Sequence, residues 1–408
     1  MKFLITGGAS IVNNIGDQAM LFTLIEHIRL NYPKSDIVLF DEKAYFNKSM
    51  RDAFHFRILP DIPMEAKLSY VNKFLHLIYI MISKKRFYNK LSEIIKNEYD
   101  TCDYIFQLGG FSLSSQMKFN NILSRVWDIA LAAKLKKEII LLPQSIGPLE
   151  YPGLKNRFII HYLKKYINYP KYVLCREYMG KKLLEEYGCR KARIEHDLVL
   201  ARPGALNPDI IYKSAKAKTQ EISIDKSRDV VVVPNSRFLL YRPESEIIDI
   251  FREIINGCLE ITGGKVVIFV HATEDDLDIS RMIYDNFKDN PSVILIEKGY
   301  DCIETIKLFE KFALAIPCRW HSNAHAIRAG LPHVVIGWAE KYHETSRIFK
   351  NEDNVFDIRK TMVEKDIIEA IERVYNNRIE ISGQINRRLD KIKKTFCLDE
   401  ITKHITED

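Results

Sequence analysis

At 408 residues, with 47% apolar and 28% charged side chains, the chain has the composition of an ordinary soluble globular protein and the length for two domains, each able to bury its own core. A formal charge of +7 is modest for this size. It suits anionic ligands or a membrane surface and argues against a nucleic-acid partner, which calls for a concentrated basic face.

Phe3 to Thr6 is a short apolar strand, and the apolar part of the N-terminus, Met1 to Gly8, is too short for a signal peptide. The strand enters a glycine-rich turn, Gly7-Gly8-Ala9-Ser10, that leads to Asn14-Ile15-Gly16-Asp17 at the start of a helix. In that helix Leu21, Leu24, Ile25 and Ile28 have the spacing of one buried face. Phe74 to Ile82, followed by Lys84-Lys85-Arg86, reads as a core helix with a solvated basic end. The alternative is a peripheral contact of 74–90 with anionic lipid at the inner face of a membrane. Ile37 to Phe40, Tyr104 to Leu108, Ile139 to Leu142 and Tyr172 to Cys175 are further strands, separated by helical stretches.

From about Ala201 to Lys226 prolines, lysines and serines replace apolar periodicity, so 201–226 is expected to be a linker. The alternation then restarts with Val230 to Val233, Val266 to Val270, Val293 to Ile296, Ala313 to Ile316 and Val334 to Ile336. Ile367, Ala370, Ile371 and Val374 mark one face of a later helix, and the charged segment 378–408 is expected to pack back across the domains. The seven cysteines are scattered, with no Cys-x-x-Cys pair, and read as buried reduced thiols of a cytoplasmic protein. The expected fold is α/β: two Rossmann-like, doubly wound domains (1–200 and 227–377) facing a cleft, an arrangement called GT-B.

Ligands of such sheets bind beyond the carboxyl ends of the strands, so residues at strand ends are the site candidates. At Asn14-x-Gly16-Asp17 the free N–H groups of a helix start attract anions, while Asp17 can equally offset the helix dipole and Asn14 can cap. Gly-x-Gly-x-x-Gly and the lysine-containing P-loop are absent. Gly109-Gly110 ends one strand where backbone must approach something closely. Gln144-Ser145, held between Pro143 and Pro148, presents stiff hydrogen-bonding groups suited to sugar hydroxyls, or is an ordinary turn. Arg176 follows Cys175; its guanidinium needs an acceptor, either the adjacent Glu177 or an anion in the cleft. Arg319 and His321 end the strand Ala313 to Ile316, and Lys341 can return a second cation to that surface. His321 and His325 are spaced i, i+4, but no third ligand is near and His-Glu-x-x-His is missing, so no metal is expected and His325 is read as packing.

In order along the chain, Asn14-x-Gly16-Asp17, Gly109-Gly110, Gln144-Ser145-Ile146-Gly147-Pro148, Arg176-Glu177 with Leu184 and Gly188, Asp197, Arg319-x-His321, Gly330-x-Pro332 and Lys341 resemble the polysaccharide pyruvyl transferase family. Gly180, Leu198 and Phe111 depart from it, standing where serine, proline and a third glycine are common. The resemblance implies transfer of the enolpyruvyl group of phosphoenolpyruvate to two hydroxyls of one sugar, giving a cyclic ketal and phosphate. The implied acceptor is an envelope or capsular glycan precursor, lipid-linked or nucleotide-linked, and no cofactor is implied. On this reading Arg176, Arg319 and Lys341, drawn from both domains, hold phosphoenolpyruvate, the first domain being the acceptor side and the second the donor side. His321 is the acid/base, with Asp17 or Glu177 as the second. Asn14, Gly16, Gly109, Gly110, Gln144 and Ser145 form the acceptor side. The rival readings are a GT-B glycosyltransferase using a nucleotide sugar and a binding protein without turnover.

Overall fold

Runs of valine, isoleucine, leucine and phenylalanine that leave no polar face demand a sheet covered on both sides, and the strands are used in that way. The computed structural model describes residues 1–12, 14–61, 67, 89–111, 113–214, 222–361 and 363–407. The segment 74–88, on which the alternatives of core helix and lipid contact fall, lies outside the described residues.

The first sheet contains β1 (Lys2–Thr6), β2 (Asp36–Phe40), β3 (Arg57–Leu59), β4 (Tyr104–Gln107), β5 (Glu138–Gln144), β6 (Tyr172–Cys175) and β7 (Ala192–Ile194). All run parallel, in the order β3-β2-β1-β4-β5-β6-β7. The second contains β8 (Val230–Val233), β9 (Val266–Phe269), β10 (Val293–Ile296) and β11 (Leu314–Pro317), in the order β10-β9-β8-β11. β12 (Val335–Gly337) and β13 (Val355–Asp357) pair beside it, joined to β11 through a bridge between Ala315 and His333. The three-residue strands β3, β7 and β13 carry no readable apolar run, which is why sequence periodicity passes over them.

The winding direction reverses between β1 and β4 in the first sheet and between β8 and β11 in the second. Each reversal opens a crevice at the carboxyl ends of its two strands. Gly7-Gly8 and Gly109-Gly110 stand at the first crevice; Asn235 and Arg319 stand at the second.

The helix Ile15–Asn31 joins the two halves. Its expected single buried face is an underestimate: Met20, Phe22, Thr23 and Glu26 are buried as well as Leu21, Leu24, Ile25 and Ile28. A helix apolar around most of its girth needs cover on all sides, and here elements of both domains supply it. Gln18 Oε1 accepts from the Cys302 N–H at 2.7 Å, and Glu26 Oε1 from the Asn207 N–H at 2.5 Å.

The described part of the expected linker 201–226 carries packed turns. Asp197 caps a turn, Leu198–Ala201, whose four residues are all buried, and Ile211 in the next turn is fully buried. Tyr212 donates to Asp301 at 2.7 Å. The described residues 201–214 pack between the domains, and Pro208 opens the second turn at a position that suits proline. The helix Cys397–Glu407 returns to the first domain, burying Leu398, Ile401 and Ile405. Around that apolar seam, His27 bonds Thr402 at 2.6 Å and Arg193 forks onto Glu400 with two bonds of 2.8 Å.

Apolar burial should outweigh the ion pair in that seam. Ile401→Ala is expected to cost about 2–5 kcal/mol in urea unfolding. Glu400→Ala, at a half-exposed pair, is expected to change stability by about 1 kcal/mol or less.

Candidate active site

The first-domain wall is built on backbone. Gly7 has φ 108°, and a Cβ there would fall 2.3 Å from the Leu108 carbonyl oxygen, so only glycine lets the end of β1 run beside the end of β4. Asn14 caps the first helix, its Oδ1 accepting from the Gly16 N–H at 3.0 Å. Asp17, in the first turn, faces the cleft. Burial pushes its carboxyl up to about 7 against a bond from the Ser10 backbone and the nearby charges of Arg176 and Arg319.

Arg176 sits where β6 ends. It donates to Asp197 at 2.7 Å, to Ser145 Oγ at 2.7 Å and to the Gly110 carbonyl oxygen, and its guanidinium carbon lies 4.1 Å from the centre of the Trp320 ring across the cleft. Glu177, expected as one acceptor for Arg176, lies 3.9 Å from Arg176 Nε and accepts from Ser145 Oγ at 2.7 Å. Gln144, Ser145 and Glu177 are therefore buried behind Arg176 and do not line the cleft. Ser145 and Glu177 stand behind the guanidinium, and the Gln144 carbonyl oxygen accepts from the Arg176 N–H at 3.1 Å. Asn14, Gly109 and Gly110 do line the cleft, while Gly16 lies under His321.

On the second-domain wall Arg319 ends β11 and precedes the helix Trp320–Arg328. Both oxygens of Asp276, itself fully buried, accept from Arg319, one at 2.7 Å from Nη2. His321 crosses to the other domain. A Cβ on Gly16 would stand 2.1 Å from its Cγ, and one on Gly110 would stand 3.2 Å from its Cε1 and 3.5 Å from Asp17 Oδ1. Imidazole and carboxyl thus flank one glycine from opposite domains. His321 Nε2 has no hydrogen-bond partner among the described residues. Burial first, then Arg176 and the neighbouring His325, His271 and Lys341, holds the imidazole well below its usual value, so it is neutral in the empty cleft. His325 packs, as expected, with its Nδ1 at 3.2 Å from Nε2 of the buried His271.

Lys341 lies in the second turn position of the helix Glu340–Ile348. Its ammonium is 4.1 Å from the centre of the Phe111 ring, 4.9 Å from Trp338 and 5.9 Å from Tyr342. Burial and the charge of Arg176 push it down to about 7, with Glu177 opposing and Arg237 and Arg319 adding to the shift. The six groups expected to do chemistry thus separate: Asp17, Arg176, Arg319, His321 and Lys341 line one cleft of about 360 Å³, and Glu177 does not.

Sequence reasoning missed several lining residues: Arg125, Arg237, His271, Trp320 and Trp338. Arg237 and Trp338 follow β8 and β12 closely, so the strand-end rule that found Arg319 reaches them too. Arg125 lies inside a helix and carries no such signal; its guanidinium fills the space a Gly8 side chain would take, with Nη2 2.3 Å from the Cβ position. The departures from the family pattern also find reasons. Phe111 covers Lys341 and packs edge-on against Trp338, 6.1 Å between ring centres. A Cβ at Gly180 would meet Ile146 at 3.1 Å, a tight fit. Leu198 begins a helical turn, a position that takes leucine or proline alike.

Two parallel, doubly wound sheets with their reversal points turned toward one polar cleft define an enzyme of the GT-B architecture. Solved structures agree on the fold. HepE of Anabaena in complex with UDP and glucose is similar over 100% of this chain and 98% of that one, with a TM-score of 0.55 at 9% identity. MnaA of S. aureus with UDP covers 99% and 95%, with a TM-score of 0.57 at 10% identity. The spinosyn rhamnosyltransferase SpnG complexed with thymidine diphosphate covers 97% and 96%, with a TM-score of 0.52 at 10% identity. No curated protein sequence matches the chain. The profile of the polysaccharide pyruvyl transferase family matches residues 14–340, and the chain belongs to that family of transferases.

The contact of His321 with Gly16 makes a sharp prediction. Gly16→Ala should lower the melting temperature, and His321→Ala in the same background should restore part of the loss, because the imidazole is what the new methyl strikes. The two shifted groups predict opposite limbs in the pH dependence of stability. With Asp17 raised from 3.8 to about 7, the folded state binds more protons between those values, so its contribution falls as pH rises through that window. With Lys341 lowered from 10.5 to about 7, the unfolded state binds more, so its contribution rises with pH from about 7 to 10.5. In thermal melts from acid to alkaline pH, Asp17→Asn should flatten the first limb and Lys341→Met the second.

Proposed function

We propose that this polysaccharide pyruvyl transferase takes phosphoenolpyruvate as donor and builds a cyclic pyruvate ketal on two hydroxyls of one sugar in an envelope or capsular polysaccharide precursor. The observation that carries this reading is the convergence, from opposite domains, of Asp17, Arg176, Arg319, His321 and Lys341 on one cleft. Phosphoenolpyruvate is small and anionic at both ends, and cations at strand ends are the complement it calls for.

The chemistry assigns the titrating groups distinct roles. The methylene carbon of the donor gains a proton, leaving C2 electrophilic. One sugar hydroxyl adds to C2 and gives up its proton. The second hydroxyl adds as the C2–O bond to phosphate breaks, the bonding electron pair leaving with the phosphate oxygen. Two hydroxyl protons are lost, one ends on the new methyl group and one on phosphate, so the balance closes. Asp17, raised to about 7, is a proton donor near neutral pH. His321, held neutral, suits the complementary task of receiving a hydroxyl proton. Arg176 and Arg319 carry carboxylate partners of their own and present fixed edges to the donor, while Lys341 supplies a charge with no carboxylate partner among the described residues. We further infer that the acceptor is lipid- or nucleotide-linked and that the reaction runs on the cytoplasmic side, where phosphoenolpyruvate is made. No helix among the described residues is long and apolar enough to cross a membrane.

The fold neighbours were solved with UDP or thymidine diphosphate, which favours a nucleotide-sugar glycosyltransferase as the second reading. The product separates the two. With phosphoenolpyruvate and a disaccharide acceptor, free phosphate should appear and the acceptor should gain the pyruvyl mass; release of a nucleoside diphosphate from a nucleotide sugar would favour the rival. His321→Ala and Asp17→Asn should each lower kcat by roughly 10²–10⁴-fold. Wild-type turnover in both would remove the assignment.

A further inference from the structure

We propose that Arg237, Trp338 and Lys341 form a subsite for a phosphoryl dianion, with Arg237 a binding residue for the donor. The identification of that dianion as the phosphate of phosphoenolpyruvate rests on the function proposed above; the preference for a phosphoryl group does not.

The cleft is lined by six cations, and most already have an acid. Lys43 pairs with Glu274, Arg176 with Asp197 at 2.7 Å, and Arg319 with Asp276 and, at 3.3 Å, Asp275. Arg125 has Asp128 at 3.5 Å and Asp61 at 3.9 Å. Among the described residues Arg237 and Lys341 alone of the six have no carboxylate within ion-pair distance. They come from the short helical segments that follow β8 and β12 and meet over one ring: the Arg237 guanidinium carbon is 5.9 Å and the Lys341 ammonium 4.9 Å from the centre of Trp338. The loop that carries Arg237 is fixed by the buried Asn235, which accepts from the Arg237 N–H at 3.0 Å and donates to the Cys318 carbonyl oxygen at 2.8 Å.

Aromatic faces hold cations but do not neutralise them. Two positive groups kept half-buried beside an indole, with Phe111 closing over Lys341 at 4.1 Å, therefore repel each other until an anion enters. A carboxylate would offset one charge. A phosphoryl group brings about two charges and three acceptor oxygens, enough for a guanidinium and an ammonium together. Arg319, whose Nε and Nη2 are both taken by Asp276, is less free for that task than its position at the strand end suggests.

The test is calorimetric titration of the full chain with inorganic phosphate, phosphoenolpyruvate and pyruvate, in wild type and Arg237→Met. Phosphate should bind the wild type at millimolar concentration or below and compete with phosphoenolpyruvate. Arg237→Met should weaken both by about tenfold or more, the loss of a charge-assisted contact. Its pyruvate affinity should be unchanged and its melting temperature unchanged or higher, since Arg237 has no protein acid to lose and its repulsion of Lys341 is removed. Trp338→Phe should abolish any change in tryptophan emission on phosphate binding while retaining affinity. Equal phosphate affinity in wild type and Arg237→Met overturns the subsite, as does a wild type that binds no phosphate, or an equal loss of pyruvate binding. Phosphate binding that depends on Arg237, in a protein that never releases phosphate from phosphoenolpyruvate with acceptor present, would leave the subsite standing and remove the donor assignment.

Discussion

Two α-carbons without side chains allow the domains to meet at the point where chemistry is required. Gly16 and Gly110, at the ends of neighbouring structural units of the first sheet, leave the room that His321 of the second domain occupies. A methyl group at Gly16 would overlap the imidazole, so the approach of the two reversal points depends on glycine there. The helix that begins at Gly16's neighbour Ile15 is then covered by both domains, and the interdomain bonds of Gln18 and Glu26 follow from that position.

Close approach concentrates charge, and the fold answers with buried acids. Asp197 and Asp276 each neutralise an arginine that would otherwise face its counterparts across a poorly solvated gap. Trp320 lies flat against Arg176 and hydrogen-bonds Thr345, so one indole serves both domains. Among the described residues Asp17 and Lys341 have no such direct counter-charge, and their titration moves toward neutrality from opposite directions.

Much of this was readable in the order of residues. Parallel strands buried on both faces must be apolar throughout, so β1, β4, β6, β8 and β11 announce themselves as short aliphatic runs. A polar residue just past such a run must sit at the sheet's carboxyl edge, which located Asp17, Arg176, Arg319, His321 and Lys341. The same rule applied to Asn235-Ser236-Arg237 and Trp338 would have added two more. That Gln144, Ser145 and Glu177 stand behind the cleft wall was not legible, because a strand end has a front and a rear and periodicity does not tell them apart once the strand has stopped. The packed turns after Ala201 were not legible because a proline that opens a short buried turn, as Pro208 does, looks in sequence like one in a linker.

The amino-acid order alone determined the architecture and the edge on which the reactive groups stand, since in a parallel sheet every strand delivers its last residue to the same side. Which of those groups are neutralised was decided only in three dimensions. Asp197 lies 21 residues from Arg176, and Asp276 lies 43 from Arg319, separations that no helical or strand period relates. Charge pairing depends on distances between neighbouring strand ends, and those are set by how the sheets wind and how closely the two domains meet.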